Sequence, residues 1–420
     1  MEEAMAFPEH GQPWEALKSD LVGFKTEDLD WRRGRLPAYI YYYDEKVLRV
    51  QTEAYRIYAV ENGLGEGKAF RSLTRMLDDI ASMACDLFRA PPSAGVSFTS
   101  GGTESLFEAV KAARKWHRVN RPKATGRLKV VAPLSAHATL NKAGDILDVD
   151  IVRVPLAGEW RADVAAMEAT IDDDTIMLFA SAPCFPYGVF DPIRRLGEVA
   201  LRRDLWLHVD GCWGGFISPF AARLGYPIPD WDLAVPGVWS LSADLHKFAY
   251  AAKGASLLLF RDAALKEYER FEFSGWPRGT YATPTFLGTR PAGAIASAWA
   301  VLRYLGMEGY LKTTKAAMDA TMGMIAGMDS IEGLRCLRPI GEANLYAFTS
   351  EDPDVDIMAV ADHLQARGWF PGRLRDPVAI QQGVNPVHLP IVDEYVSEVA
   401  AAVAAVRAGG SVGAFREDSY

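Results

Sequence analysis

The sequence predicts an α/β protein: a large domain on a mostly parallel central sheet, then a smaller α+β C-terminal domain. Three observations point there. Six short runs are apolar on both faces, helical patterns separate them, and a Pro/Gly-rich stretch divides this alternation from a long helical pattern with mixed short elements beyond. Strands that are apolar on both faces are covered by helices on each side, which is how parallel sheets are buried.

Taken in order, residues 1–65 read as an N-terminal arm. Its "WRRGRLPAYIYYYDEK" is rich in aromatics and arginine, and "VLRVQTEAYRIYAVE" has a helical pattern. Residues 66–300 form the large domain, with strands expected at "LKVVAPL" (128–134), "DIVRVPL" (150–156), "TIMLFASA" (175–182), "LWLHVDG" (205–211), "GVWSLSA" (237–243) and "ASLLLF" (255–260). After "GTYATPTFLGTRPAGA" the helical pattern from Ala294 leads into the small domain, 301–408. The glycine-rich "RAGGSVGAFREDSY" gives a flexible tail over 409–420. A chain of 420 residues, 49% of them hydrophobic, is long enough for more than one core.

Composition removes several function classes. The net charge of -9 leaves no basic stripe, so no nucleic-acid partner is expected. Cys85, Cys184, Cys212 and Cys336 are far apart and lack CxxC spacing, which suggests neither a zinc site nor a disulfide framework and fits a reducing cytoplasm. The start, "MEEAMAFPEHGQPWE", lacks the basic and then apolar residues of a signal peptide, and no apolar run is long enough for membrane insertion. A soluble cytoplasmic protein is the expectation.

Three segments carry chemistry. In "SFTSGGTESLFEAVKAAR", Ser100 to Ser105 precede an amphipathic helix whose first N–H groups, with the Thr103 hydroxyl, suit a phosphate; an ordinary capping box with Thr103 or Ser100 as the cap explains the pattern equally well. In "LWLHVDGCWGGF", Asp210 ends an apolar strand and needs a partner: turn amides, a protonated ring nitrogen of a cofactor, or a metal for which only His208 offers a second ligand. No metal is expected. In "SADLHKFAY", Lys247 follows His246 inside an apolar stretch, 37 residues after Asp210, about one strand-helix-strand unit. Such a lysine either snorkels to water or, desolvated beside another positive charge, loses its proton and attacks carbonyls. A phosphate cradle, a strand-end acid and an aldehyde-trapping lysine together describe a pyridoxal phosphate site.

The motifs "SGGTES", "SAHATLNKAG", "SAPCFPYGVFDPI", "HVDGCWGGF", "SADLHKFAYAAKGASLLLF" and "GTYATPTFLGTRPAG" occur in that order, over roughly residues 36–406. On these, the chain resembles the sphingosine-1-phosphate lyase branch of the fold-type-I, pyridoxal-phosphate-dependent group II decarboxylases. The resemblance implies a fold-type-I, transferase-like large domain with pyridoxal 5'-phosphate as cofactor. It makes Lys247 the Schiff-base lysine, Asp210 the partner of the pyridinium nitrogen and His137 the residue stacked on the ring. Gly102, Thr103 and His246 would hold the cofactor phosphate, with Thr289 of "GTRP" reaching over from a second subunit, which implies a homodimer with shared active sites.

The same resemblance assigns Tyr41 and Lys253 to a substrate phosphate and keeps Asn62, but Gly65 stands where the family has a histidine. Cys184, Tyr187 and Gln381 also depart from the family pattern, and Arg373 and Arg375 either pair with a substrate carboxylate or are solvated loop arginines. The expected activity is cleavage of a β-hydroxy amine, phosphorylated as in a sphingoid base 1-phosphate, to an aldehyde and a smaller amine. The alternatives are α-decarboxylation of an amino acid and a catalytically silent binding relative. Intact Lys247, Asp210 and His137 argue against the silent relative.

Overall fold

The computed structural model describes residues 6–121 and 126–409. Beyond residue 409, the expected flexible tail lies outside the described residues. The arm begins with α1 (Trp14–Phe24), in which no residue is buried, and α2 (Glu45–Ile57), where the Asp44 carboxylate caps Val47 N–H and Val47 enters the main core. α3 (Arg71–Leu87) then leads into the sheet.

The large domain continues through β1 (Gly95–Thr99), α4 (Gly102–Asn120), β2 (Lys129–Pro133), α5 (Thr139–Leu147), β3 (Asp150–Val154), α6 (Val164–Ala169) and β4 (Thr175–Ser181). It goes on through α7 (Ile193–Arg203), β5 (Trp206–Asp210), α8 (Ser218–Arg223), β6 (Ser240–Ala243), β7 (Ser256–Phe260) and α9 (Ala263–Lys266). Each of the six expected runs contains one strand. β1 is additional: it is a short edge strand, and its "GVSFT" is too polar to stand out as a doubly apolar run.

The seven strands lie in the order β1-β7-β6-β5-β4-β2-β3. From β3 to β6 the pairings are parallel, whereas β7 runs antiparallel to both β6 and β1. Two reversals cancel, so β1 points the same way as β6 and its end, Thr99, comes to the same edge as Asp210. Helices cover both faces. Leu73 and Ile80 of α3 pack on one side with Ile193 and Leu196 of α7, and Leu106, Ala109 and Ala113 of α4 pack on the other with Leu140 of α5. α7 shows the local logic. It buries Ile193, Leu196, Gly197, Val199 and Ala200 at helical spacing and turns its arginines outward. A Cβ on Gly237 would fall 2.1 Å from the Gly197 carbonyl oxygen, so this helix touches the strand-leading loop through bare backbone.

A hairpin of β8 (Phe271–Trp276) and β9 (Gly279–Thr283) follows, and then α10 (Ala292–Ser330). The small domain adds β10 (Leu334–Cys336), β11 (Leu345–Ser350), α11 (Ile357–Ala366), β12 (Gly372–Arg375), β13 (Val378–Gly383) and α12 (Val392–Gly409). Its antiparallel sheet, β10-β11-β13-β12, packs on α11 and α12 around a core of its own. The chain does not break at residue 301. α10 runs through both domains, kinked at Gly306 (φ 54°), and core membership changes between Ala317 and Ala320.

All four cysteines are free thiols, and among the described residues no helix is long and apolar enough to cross a membrane.

Candidate active site

The ends of β1, β4, β5 and β6 meet along one edge of the sheet, where ligands sit in open α/β folds. A cavity of about 340 Å³ opens there, lined by Gly102, Thr103, His137, Asp210, His246 and Lys247. Ser181, Phe185, Cys212, Trp213 and Asp244 also contribute to its wall.

One end of the cavity is the start of α4. Gly101 is the N-cap residue and no side chain caps it. The capping-box expectation fails here because the cap residue has no side chain to close it; Glu104 alone reaches back, its carboxylate accepting from Ser100 N–H (2.6 Å) and also from Leu287 N–H (3.0 Å). The first amides of a 19-residue helix therefore face the cavity with the positive end of its dipole. A Cβ on Gly102 would lie 2.8 Å from Cys212 Sγ and 3.1 Å from both Asp244 oxygens, so only glycine lets the helix approach this closely. His246 stands opposite, its backbone N–H on Ala255 O (3.0 Å) and its Nδ1 accepting from Ala255 N–H (3.3 Å). Burial, opposed by Asp244, lowers its imidazole pKa.

Lys247 lies in the turn after β6. Tyr310 Oη donates to Ala249 O (3.0 Å) and Gln51 Nε2 to Tyr250 O (2.8 Å), holding the loop in which Tyr250 takes a left-handed φ of 56°. The Lys247 ammonium is 3.0 Å from Asp244 Oδ2 and 5.9 Å from the centre of the Trp213 ring. A neighbouring positive charge was expected to ease its deprotonation, and the structure corrects this. Burial is the largest single influence and pulls the ammonium down, but Asp244, Tyr41, Cys212 and Asp210 together outweigh it and hold the pKa well above the ordinary lysine value. The pairing keeps Asp244 ionised despite its burial. The Ser256 hydroxyl beside it also helps hold the Asp244 carboxylate ionised.

Asp210 ends β5. Its Oδ1 accepts from Cys212 N–H (3.0 Å) and Ser242 Oγ (3.4 Å), and the carboxylate faces the cavity. His208 is no metal ligand: its ring nitrogens meet Ser240 Oγ (2.8 Å) and Ser242 Oγ (3.3 Å), and the described residues hold no cluster fit for a metal ion. His137 covers the cavity between Asp210 and Phe185. Its Nδ1 accepts from Thr139 N–H (3.2 Å), its ring centre lies 6.5 Å from that of Phe185, and burial, partly offset by Asp210, lowers its pKa.

The remaining expected residues lie outside the lining. Lys253 Nζ sits 4.4 Å over the Tyr41 ring and reaches His246 O (3.4 Å), while Tyr41 packs edge-on against Trp213 and Phe248. This pair abuts the cavity wall. Desolvation around the head group, with the Lys247 charge nearby, lowers Lys253 to about 8. Asn62 donates to Thr289 Oγ1 (3.1 Å) and accepts from Leu64 N–H (2.9 Å), so both residues are joined to each other and not to this chain's cavity. Gly65 packs against Phe70, 2.9 Å from where its Cβ would be.

Nor do the arginines reach the cavity. Arg373 Nη2 bonds Asp362 (2.8 Å) and Gln365 (3.0 Å) of α11, and Arg375 is exposed at the end of β12. Neither is among the described residues that line the cavity. Cys184 is buried, Tyr187 donates to Asp376 O (2.6 Å) and Gln381 to Phe185 O (3.1 Å), tying the small domain to the cavity's rim. Sequence reasoning did not single out Asp244 or Ser242. Both are visible in "SLSADLHK", but only the fold shows which carboxylate meets the lysine.

Pyridoxal phosphate fits this donor set. An uncapped helix start and His246 suit its phosphate, Asp210 suits its ring nitrogen, and Lys247 suits its aldehyde. The pyridoxal-dependent decarboxylase conserved domain matches residues 72–330. The chain is 36% identical over 354 residues to a sphingosine-1-phosphate lyase of Dictyostelium discoideum, covering 84% of this chain and 65% of that protein. It is 34% identical over 398 residues to one of Oryza sativa subsp. japonica, covering 93% and 72%. Thus the chain spans about two thirds of the length of these curated relatives. The solved structure of the Burkholderia pseudomallei sphingosine-1-phosphate lyase superposes with a TM-score of 0.91 at 35% identity, covering 97% of this chain and 94% of that one.

Proposed function

The chain belongs to the pyridoxal-dependent decarboxylase family, in the sphingosine-1-phosphate lyase branch, and from that premise we propose that it is a carbon–carbon lyase acting on phosphorylated β-hydroxy amines. In such a substrate, a sphingoid base 1-phosphate for example, the β-hydroxyl loses its proton, the bond between α- and β-carbons breaks, and the electron pair stays on the α-carbon until a proton returns there. The products are an aldehyde and a smaller amine. One observation carries the choice over decarboxylation: besides Lys247, the ammonium beside this cavity is Lys253 over Tyr41, whereas no arginine is among the described residues that line it.

Pyridoxal phosphate supplies an aldehyde that captures amines and a ring that accepts electrons from a bond broken at the α-carbon. In this reading Gly102, Thr103 and His246 hold its phosphate, Asp210 accepts a hydrogen bond from the ring nitrogen, and His137 covers the ring face. Lys247 must shed a proton before its amine can act, and Asp244 and His246 are the groups placed to take it. Trp213 and Phe248 exclude water on the side where Tyr41 and Lys253 wait for a second phosphate. Product analysis by mass spectrometry tests the reaction, after incubation of the cofactor-loaded protein with a pool of phosphorylated β-hydroxy amines and a pool of free amino acids. Aldehydes from the first pool are expected; amines one carboxyl group lighter, from the second, would establish a decarboxylase instead.

The grip has a pH signature. With its pKa near 8, Lys253 is cationic below that pH and loses its charge above it, so KM for a phosphorylated amine should climb by up to about tenfold per pH unit beyond 8. Lys253→Met should flatten that rise, and a native KM that stays level through pH 8 would remove Lys253 from the grip.

The assembly that goes with this reading is a homodimer in which Thr289 reaches the partner's cofactor phosphate, with a reducing cytoplasm suggested by the four free thiols. Supporting it, Phe271, Phe273, Trp276 and Phe286 are exposed on and beside the β8–β9 hairpin, apolar surface that a second copy would cover. Sedimentation velocity should find a dimer; a fully active monomer would end the shared-site reading.

A further inference from the structure

Trp206, His208 and Asp210 alternate along β5 and so share one face of the sheet, and Ser240 and Ser242 do the same on the neighbouring strand. Parallel register places Ser240 beside His208 and Ser242 beside Asp210. Trp206, His208 and both serines are fully buried. Bonded to each other, these side chains form a chain of contacts that runs beneath the site and ends on Asp210.

One donor order along this chain gives every hydroxyl proton an acceptor. An indole N–H only donates, so Trp206 Nε1 (2.7 Å) makes Ser240 Oγ an acceptor. Ser240 has its own proton to place, and His208 Nδ1 at 2.8 Å is the acceptor beside it. With Nδ1 accepting, a neutral ring carries its proton on Nε2, which faces Ser242 Oγ at 3.3 Å. Burial lowers the His208 imidazole to about 4, so at neutral pH the ring has one proton to place. Ser242 Oγ also receives the Cys212 thiol (3.2 Å), which burial holds protonated. Both its lone pairs are used, and its own proton goes to Asp210 Oδ1 at 3.4 Å. Together with Cys212 N–H, this occupies Oδ1 and leaves Oδ2 for a partner in the cavity.

We propose that Ser240, His208 and Ser242 are positioning residues, a one-way relay of hydrogen-bond donors that starts at Trp206 and fixes the Asp210 carboxylate against the cofactor's ring nitrogen. The proposal rests on the reading that Asp210 meets that nitrogen. None of the three touches the cofactor. Losing any link lets the His208 ring adopt its other tautomer or leaves Asp210 without its Ser242 donor, and the carboxylate is then free to turn away from the ring nitrogen.

Nitrogen-15 NMR of the histidine-labelled full chain tests the order directly, with the His208 signals assigned by their loss in His208→Gln. The expected tautomer is protonated at Nε2 and bare at Nδ1, with or without cofactor. A ring protonated at Nδ1 overturns the relay. In protein loaded with pyridoxal phosphate labelled at its ring nitrogen, Ser242→Ala and Ser240→Ala should both move that nitrogen's signal toward the unprotonated form. Both should also release the cofactor about three to ten times faster. An unchanged signal in both variants overturns the relay, and a change in Ser242→Ala alone overturns its extension past Ser242. A native protein that takes up no cofactor would overturn the site reading instead, while the tautomer measurement, needing no cofactor, still judges the donor order.

Discussion

Replacing Lys247 with alanine is expected to lower turnover by roughly 10³-fold or more, the scale of losing a covalent nucleophile. The same change should weaken the fold, because Asp244 is almost fully buried and Lys247 is its nearest cation at 3.0 Å. Removing one member of a buried pair costs about 3–5 kcal/mol, since the other charge is left without compensation. His246, 3.6 Å from the same oxygen, offsets part of this if it becomes protonated. The two effects are separable. Lys247→Ala combined with Asp244→Asn should regain most of the lost stability in thermal denaturation and none of the lost turnover. Full activity of Lys247→Ala would sink the mechanism, and equal stability of the single and double variants would show that the Asp244 pairing does not hold the loop.

The second large effect is expected at Asp210. Asparagine keeps the shape and the acceptor for Cys212 N–H, so the fold should lose no more than about 1 kcal/mol. What it removes is the negative charge that, in the proposed reading, faces the ring nitrogen. Loss of a single preorganised electrostatic contact at the reacting centre costs about 10²–10³-fold in kcat, and Asp210→Asn should show a drop of that size together with weaker retention of cofactor on gel filtration. If kcat and retention both match the native protein, Asp210 is a structural acid bonded to its turn, the blander reading its position always allowed.

Much of the site was legible because of where its residues stand in the chain. In a parallel α/β sheet every forward strand ends at the same edge, so residues that close an apolar run or follow it shortly, such as Asp210 and Lys247, are brought together without knowledge of packing. The glycines before α4 were legible for a related reason: a helix start needs its amides satisfied, and no side chain in "SGG" could fill the space that Gly102 leaves beside Asp244.

Other features were not written locally. Arg373 was open to two readings until the fold placed Asp362 and Gln365 of α11 across from it. Thr289 and Asn62 are 227 positions apart, and nothing in either motif says that they bond each other. The strand at Gly95–Thr99 escaped notice because its pairing with β7, not its own apolarity, makes it part of the sheet.

By itself the sequence determined the class of fold, the edge at which chemistry occurs and the residue types gathered there, because hydrophobic periodicity and strand-end position are local properties of the chain. Tertiary structure alone decided the charge around the lysine. The sign of a pKa shift depends on which groups lie within a few ångströms, and burial is outweighed only because the fold gathers Tyr41, Cys212 and Asp210 around Nζ and the turn after β6 folds the Asp244 carboxylate back onto it. It also decided the direction of the hydrogen bonds beneath Asp210, which follows from a tryptophan and two serines being neighbours across strands and not along them.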